Sequence, residues 1–286
     1  MLPSAAVPSE MPTGDKELKL KGHHDMTVTA TEIEGTGDNY ELEKLLDVRL
    51  RTRHAVYKIA SSVHPGMVEE DTRVMARDVL KSLGMRRGWH HIITRLGPNT
   101  TKDFMALSER GVVLEENDIF FIDIGPIYGD TEGDAGETFV VGANPEHHRA
   151  KADVRAIWDD VRETWFTTGA TGQDLYEFAK KAARDRGWEL NLDLSGHRLS
   201  DFPHFAHYDG SLADIGFRPS PNLWVLEIAI IHPDRTFGAF YEDLLLADQS
   251  FPEWALAAEG FPLAADGFPS AAAGFPLSAD GRPLGE

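Results

Sequence analysis

The chain has 286 residues, no cysteine and a formal net charge of -19 at pH 7. That charge argues against nucleic acid and anionic membranes as main partners, and the lack of cysteine excludes disulfides, zinc–thiolate sites and a cysteine nucleophile. Its length suits one large domain or two small ones. The sequence shows no apolar run long enough to span a bilayer and no basic-then-apolar signal peptide, so we expect a soluble cytoplasmic protein.

Both ends of the chain differ in composition from its middle. Residues 1–38 are punctuated by Pro and Gly, which predicts an irregular N-terminal arm with one short strand at 27–33. In residues 249–286 the unit Gly-Phe-Pro recurs every seven residues, and Gly and Pro in each unit exclude a continuous helix. This low-complexity tail offers repeated Phe-Pro anchors for a possible partner. A single domain is expected at 39–248.

Two pairs of helices are predicted, about a hundred residues apart. Apolar positions recur at helical spacing over residues 40–62 and 69–83, and again over 152–167 and 173–186. A Gly-containing break separates the helices of each pair, and each pair leads toward strand-like sequence. This repetition predicts two structurally related halves.

The stretch 120–142 predicts two apolar strands joined by a Gly-rich turn. Asp123 lies inside the first apolar run, and Asp134 follows eleven residues later, where the second strand is expected to begin. An ionised carboxylate among apolar neighbours is unfavourable unless it is paired or bound to a metal. A hairpin can bring the two side by side, where they repel each other unless a divalent cation binds between them.

Two further apolar runs, at 223–231 and 237–247, each contain one interior acid. Glu227 and Glu242 are fifteen residues apart, which is the separation expected for facing positions in a short hairpin. Packing alone hardly explains two apolar strands that each carry a buried Glu.

Histidines occur in two places that matter here. His197 and His204 are seven residues apart in a segment that Gly and Pro keep from forming a regular helix. His90 and His91 directly precede Ile92–Ile93, where a short strand is expected.

Four carboxylates and one imidazole therefore lie in or beside predicted strands. Without thiolates, such oxygen and nitrogen donors suit Mn, Co, Fe or Zn. They are sufficient for two divalent metal ions, which at a separation of about 3.5–4 Å can generate a hydroxide near neutral pH and stabilise an oxyanion. The five candidates are Asp123, Asp134, His197, Glu227 and Glu242.

In order and spacing these residues resemble the pita-bread metallopeptidase family, which includes methionine aminopeptidase, Xaa-Pro dipeptidase, aminopeptidase P and creatinase. The family's ligands run Asp, Asp, His, Glu, Glu, with ten residues between the first two. Its ligand His follows a Gly and precedes a second His by seven residues, as Gly196, His197 and His204 do here. The resemblance covers about residues 40–248. It implies an α+β pita-bread fold, with two pseudosymmetric α/β halves around a curved antiparallel sheet.

The resemblance also implies a role for each candidate ligand. Asp123 and Asp134 would chelate one metal, and Asp134 would bridge to the second. His197 and Glu227 would bind that second metal, and Glu242 would bridge the two ions.

Three further roles follow from the resemblance. A bridging water would be the nucleophile, with Glu227 as general base. His204 would steady the substrate or the tetrahedral intermediate. A catalytic His normally precedes the first Asp by some twenty residues. Here His90 and His91 lie more than thirty residues before Asp123, and of the two we favour His90.

The function implied is a two-metal hydrolase that cleaves the N-terminal peptide bond of short peptides, with Xaa-Pro peptides as one candidate class. Two alternatives stay open. One is a creatinase-like hydrolase of a non-peptide C–N bond, and the other is a non-catalytic binding protein on the same scaffold that uses its Phe-Pro tail. A homodimer is expected by analogy with the family.

Overall fold

The computed structural model describes residues 29–246, which form five α-helices and ten β-strands. The predictions about residues 1–28 and 247–286, including the repeat tail, lie outside this range. None of the helices within 29–246 has the length and apolar character needed to cross a membrane. The helices are α1 (Ala30–Ile33), α2 (Leu42–Ala60), α3 (Glu69–Ser82), α4 (Pro145–Thr168) and α5 (Gly172–Asp185). The strands are β1 (Arg87–Gly88), β2 (Ile93–Leu96), β3 (Asp118–Ile124), β4 (Pro126–Tyr128), β5 (Thr131–Glu132), β6 (Ala135–Val141), β7 (Glu189–Leu190), β8 (His197–Arg198), β9 (Trp224–Ile231) and β10 (Gly238–Leu244).

Seven of the strands form one antiparallel sheet. Their order is β2-β3-β6-β10-β9-β7, and β8 pairs with the other end of β9. The predicted Asp hairpin is β3 and β6, and the predicted Glu hairpin is β9 and β10. Strands β1, β4 and β5 form a second, small sheet. Strands β4 and β5 belong to the connection between β3 and β6, and β1 lies in the segment before β2.

Each predicted helix pair packs on the strands of its own half. Helices α2 and α3 share one apolar core with alternate residues of β3, among them Phe120 and Ile122. Helices α4 and α5 share another with alternate residues of β9, among them Leu226 and Ile228. Because side chains alternate along a strand, the residues between these core positions point to the opposite face of the sheet. Asp123 and Glu227 occupy such positions.

Two element boundaries differ from the sequence prediction. The strand expected at 27–33 is wrong in its described part, because a reciprocal capping box between Thr29 and Glu32 starts helix α1 instead. Helix α4 begins at Pro145 rather than at 152. Asn144 accepts a hydrogen bond from the Glu146 backbone N–H, and proline is well suited to the first helical position.

Two arginines that interrupt the apolar stripe of α2 are tied to the sheet by buried ion pairs. Arg53 donates to Glu137 on β6 at 2.7 Å and lies 3.4 Å from Asp243 on β10. Arg49 also binds Asp243, at 2.5 Å. Burial opposes ionisation of Asp243, but the two arginines outweigh it and lower its pKa to about 2. These contacts join α2 to the two central strands of the sheet.

We expect Arg53→Met to lower the free energy of unfolding by about 3–5 kcal/mol, because it leaves the Glu137 carboxylate and part of Asp243 buried without their cation. Urea unfolding measures this change. Lys44→Met, on the same helix, is the control, since Lys44 is exposed and pairs only with exposed Glu41. Equal stability losses in the two variants would contradict the structural role given to Arg53.

Candidate metal centre

Four carboxylates lie in a row across the face of the sheet that points away from the helices. Asp123 of β3 and Glu242 of β10 both lie opposite Gly136 of β6, one on each side. Glu242 in turn lies opposite Glu227 of β9, as the spacing of the two Glu predicts. Asp134 directly precedes β6 and completes the row. All four are buried.

Gly136 leaves room for these carboxylates at the centre of the row. A Cβ atom at this position would lie 2.3 Å from the Phe240 ring and 2.7 Å from Glu242 Oε1. Real Cβ atoms do not approach other atoms so closely, so a larger residue would displace the Glu242 carboxylate. The absence of a side chain thus preserves the space between Asp123 and Glu242.

Two histidines approach the row from outside the central strands. His90 Nε2 lies 3.5 Å from Asp123 Oδ1 and 3.4 Å from Asp134 Oδ1. His197 Nε2 lies 2.8 Å from Asp134 Oδ2 and 3.9 Å from Glu227 Oε1. The side chains form two groups of possible metal ligands, and within each group the ligand atoms all lie within 4.8 Å of one another. Asp134 belongs to both groups. The groups are His90, Asp123 and Asp134, and Asp134, His197 and Glu242.

Backbone carbonyls orient both histidine rings. His197 Nδ1 lies 2.6 Å from the Arg198 carbonyl oxygen, and His90 Nδ1 lies 2.8 Å from that of His91. A ring that donates its Nδ1 hydrogen to a carbonyl presents the lone pair of Nε2, which is the usual arrangement of a metal-binding histidine. His91 itself is exposed and belongs to neither group.

The proton balance shows how crowded the negative charges are. Burial, together with Asp134 and Asp123, raises the pKa of Glu242 well above its usual range. Burial also raises the pKa of Asp123 to about 7, against the opposing effect of His90. For His197 burial favours the neutral form, but Asp134 outweighs it and raises the pKa to about 10. In the absence of a metal, protons on Asp123, Glu242 and His197 thus reduce the net negative charge of this cluster.

The residues present fit divalent cations. Glu242 Oε1 is buried and has no hydrogen-bond partner within residues 29–246, and Asp134 Oδ2 is buried with the His197 ring 2.8 Å away. A cation would satisfy both oxygens and favour the ionised carboxylates. Ligand atoms bonded at about 2.0–2.2 Å to one ion lie roughly 3 Å apart, close to the separations of His197 and His90 from Asp134. Oxygen and imidazole donors in this mixture suit Mn, Co, Fe or Zn.

The cluster forms the floor of a cavity of about 310 Å³. Trp89 lines this cavity, with its ring 4.5–5.0 Å from the rings of His90, His197 and His204. The rings of His197 and His204 stack at 5.4 Å. A cavity of this size, with aromatic walls and several converging polar groups, suits a small organic substrate.

Comparison with known proteins places this arrangement in a family. The sequence model of metallopeptidase family M24 matches residues 43–248. The chain belongs to metallopeptidase family M24. No curated protein sequence gives a significant match to it.

Solved structures with the same fold include members of this family. An X-Pro aminopeptidase from Thermotoga maritima aligns with a TM-score of 0.58 and 18% identity over 73% of this chain and 60% of its own. A prolidase from Pyrococcus horikoshii aligns with a TM-score of 0.57 and 18% identity, over 71% of this chain and 58% of its own. A methionine aminopeptidase from Thermotoga maritima aligns with a TM-score of 0.58 and 15% identity, over 73% of this chain and 97% of its own. The chain thus spans about three fifths of the first two proteins, and these likenesses confirm the pita-bread α+β fold.

In this M24 chain, Glu132 is a buried residue of the site that sequence reasoning missed. Its carboxylate accepts hydrogen bonds from His204 Nδ1 at 2.8 Å and from the His204 backbone N–H at 3.0 Å. Each oxygen thus binds the same histidine, which fixes the orientation of that ring, and Oε2 also accepts from the Ser200 N–H at 3.4 Å. Glu132 lies only two residues before Asp134, and no spacing rule distinguishes it from a turn residue. The sequence patterns likewise assign no role to Trp89.

Gly196 connects the ligand histidine segment to Glu227. Its N–H donates to Glu227 Oε2 at 2.6 Å, and its backbone adopts a φ of +74°. A Cβ atom here would lie 2.6 Å from the Val225 carbonyl oxygen and 2.9 Å from the Tyr176 hydroxyl. Glycine is required both by the left-handed backbone and by the lack of space.

We expect Gly196→Ala to reduce bound metal and thermal stability, because the added methyl group must push β8 away from β9. Gly187→Ala is a matched control: Gly187 also has a positive φ, of +81°, but nothing lies within 4 Å of its Cβ position. The control should lose about 1 kcal/mol and keep its metal. Metal analysis after gel filtration and thermal melting measure both quantities. Metal retention by Gly196→Ala equal to the control would contradict the assignment.

Proposed function

We propose that this chain is a metal-dependent aminopeptidase that removes the N-terminal residue of short peptides, with Xaa-Pro peptides as one substrate class. The observation that carries the proposal is the pair of ligand groups sharing Asp134 at the floor of the cavity. Membership of metallopeptidase family M24 supports the same reaction class. The names of the X-Pro aminopeptidase, prolidase and methionine aminopeptidase structures suggest the range of peptides to try.

Asp123 and Asp134 would hold one ion, with His90 close enough to contribute. His197 and Glu227 would hold the other, and Asp134 and Glu242 would contact both. Two such ions lower the pKa of a water molecule and stabilise negative charge that develops on a carbonyl oxygen.

The chain's own residues would move the protons. Glu227 Oε2 is held by the Gly196 N–H, while Oε1 faces the cluster 3.9 Å from His197. Glu227 can therefore take a proton from the attacking water while the oxygen of that water forms a bond to the scissile carbonyl carbon. When the C–N bond breaks, the same carboxyl group can return the proton to the leaving nitrogen. Water is consumed and no net proton is gained or lost by the enzyme.

His204 would position the peptide rather than bind metal. It is buried, it lines the cavity beside His197, and Glu132 holds its Nδ1. Its other ring nitrogen, Nε2, is then free to make a hydrogen bond to the peptide backbone. His90 lies closer to the carboxylates and would act on the other side of the reacting bond.

We expect the full chain, stripped and refilled with Mn, Co, Fe or Zn, to cleave N-terminal residues from a panel of di-, tri- and tetrapeptides with and without proline second. Asp134→Ala should lose metal from both positions and activity by more than about 1,000-fold, because it removes the shared ligand. Mass spectrometry of the products and metal analysis measure these outcomes. Asp234→Ala, in the exposed turn between β9 and β10, is the control.

Other outcomes of this panel decide between the alternatives. Tight binding of two metals without cleavage of any peptide would contradict the aminopeptidase and favour a non-peptide C–N substrate. No metal binding would contradict both hydrolase readings and leave a binding protein on this scaffold.

We expect Glu132→Gln to lower kcat about 10- to 100-fold while the metal content stays unchanged, because it weakens the hold on His204 without touching a proposed ligand. Glu132→Asp, which keeps the charge, should restore part of the activity. Exposed Glu116→Gln is the control. A parallel loss of metal would show that Glu132 supports the cluster itself rather than His204.

The homodimer, the cytoplasmic location and the partner of the Phe-Pro tail stay predictions of the sequence. Light scattering of the full chain and of a chain ending at residue 248 would measure the oligomeric state and show whether the tail changes it.

A further inference from the structure

A second cavity, of about 470 Å³, adjoins the candidate metal centre. It lies between α3, β1 and the turn from β3 to β4, and His90 lines both cavities. A Cβ atom at Gly125 would lie 2.0 Å from the His90 ring, so the ring packs directly against the backbone at the end of β3. His90 is thus the residue that the two cavities share.

The two cavities have opposite charge. Of the residues that the structure describes, five carboxylates and no Arg or Lys line the cavity over the candidate metal centre (the metal cavity), whereas five Arg or Lys and no carboxylate line the second cavity. This concentration of positive charge occurs in a chain whose formal net charge is -19. The five cations are Arg73, Arg77, Lys81, Arg86 and Arg87.

Helix α3 presents three of these cations along one face. Arg73, Arg77 and Lys81 recur every four residues, so they lie one above the other on the helix surface. Like charges at this spacing repel one another. Arg73 is partly compensated by buried Glu69 at 3.5 Å, but no carboxylate within residues 29–246 lies within 4.0 Å of Arg77 or Lys81. An anion in the cavity would relieve this repulsion.

The other two cations are held in place by contacts outside the cavity. Arg86 pairs with Asp130 at 2.9 Å and also donates to the Gly129 carbonyl. The Arg87 guanidinium stacks 4.2 Å from the centre of the Phe202 ring. Both line the cavity from β1 and the residue before it, and both guanidinium groups already have a partner.

The carboxylates of the metal cavity indicate which end of a peptide binds where. Besides the proposed ligands, Asp193 and Asp209 line that cavity. They suit a positively charged N-terminal amine. The part of the peptide that follows the cleaved bond would then extend past His90 toward the five cations.

We propose that this basic cavity binds a carboxylate on the leaving side of the cleaved bond, so that the enzyme prefers short peptides carrying a negative charge in the first few residues after that bond. This inference rests on the proposed peptidase function. The carboxylate can be the C-terminus of a short peptide or an acidic side chain, and both supply the same group to the arginines.

Three matched peptides distinguish these sources. They are built on the best neutral substrate of the panel: its C-terminal amide with Gln near the end, the same amide with Glu in place of Gln, and the Gln peptide as a free acid. We expect kcat/KM to be about 3- to 10-fold higher for each anionic peptide than for the neutral one, chiefly through KM, as for two partly exposed ion pairs. The advantage should shrink in 0.5 M NaCl.

The variant Arg77→Gln/Lys81→Gln should abolish this advantage and leave the neutral peptide unaffected. The matched control is Lys181→Gln/Arg184→Gln, which removes the same two charges from an exposed face of α5 in the other half of the fold. The control should keep the full preference. Equal kcat/KM for all three peptides, or an equal loss for all three in the α3 variant, would overturn the proposal.

A binding measurement separates this inference from the proposed function. Versions of the three peptides with a reduced, uncleavable scissile bond are titrated calorimetrically into the metal-loaded chain. If no peptide of the panel is cleaved, the three versions are built on one neutral tetrapeptide of the panel; tighter binding of the anionic versions, by about 3- to 10-fold, would then support the basic cavity and contradict the peptidase. If all three bind equally, the basic cavity is wrong whatever the activity.

Discussion

The mutual repulsion of four buried carboxylates is the constraint on which the rest of the structure depends. Asp123, Asp134, Glu227 and Glu242 converge on one face of one sheet, and Asp134 belongs to both groups of possible metal ligands. Burial and this repulsion raise the pKa of Asp123 to about 7 and that of Glu242 well above its usual range, whereas at Asp134 burial is outweighed by hydrogen bonds from His197 and His90, which lower its pKa. Divalent cations would convert this repulsion into attraction, so metal binding and local order are coupled.

The sheet can hold this arrangement because neighbouring residues are anchored on its two faces. Glu242 points into the cluster, whereas Asp243, the next residue of β10, is bound by Arg49 and Arg53 of α2 on the other face. A slip of one residue would exchange the two faces, placing Asp243 in the cluster and Glu242 against the arginines. The buried ion pairs therefore fix the register that the cluster needs. They contribute position more than net stability, since burying charges has a large desolvation cost.

Much of this was predictable from the sequence because strand periodicity is strict. Acids inside apolar strands have few explanations other than a paired or metal-binding role, and the fifteen-residue spacing of Glu227 and Glu242 gives the register that the structure shows. Glu132 could not be found in this way, since its role depends on a contact with His204, which is 72 residues away. Helix α1 was missed because the hydrogen bonds of one capping box outweigh the β-propensity of Thr and Ile in a short segment.

The distribution of charge adds a direction to the site. Buried carboxylates on one side of His90 and largely exposed Arg and Lys side chains on the other produce a field along the path that a bound peptide would follow. A peptide's own charges, an amine at its start and a carboxylate at its end, match that field in only one orientation. Only in that orientation does the amine lie beside Asp193 and Asp209 and the leaving side lie toward α3. The four carboxylates alone, which come from β3, β9, β10 and the residue before β6, would not choose between the two orientations, whereas the charged walls on either side of His90 would.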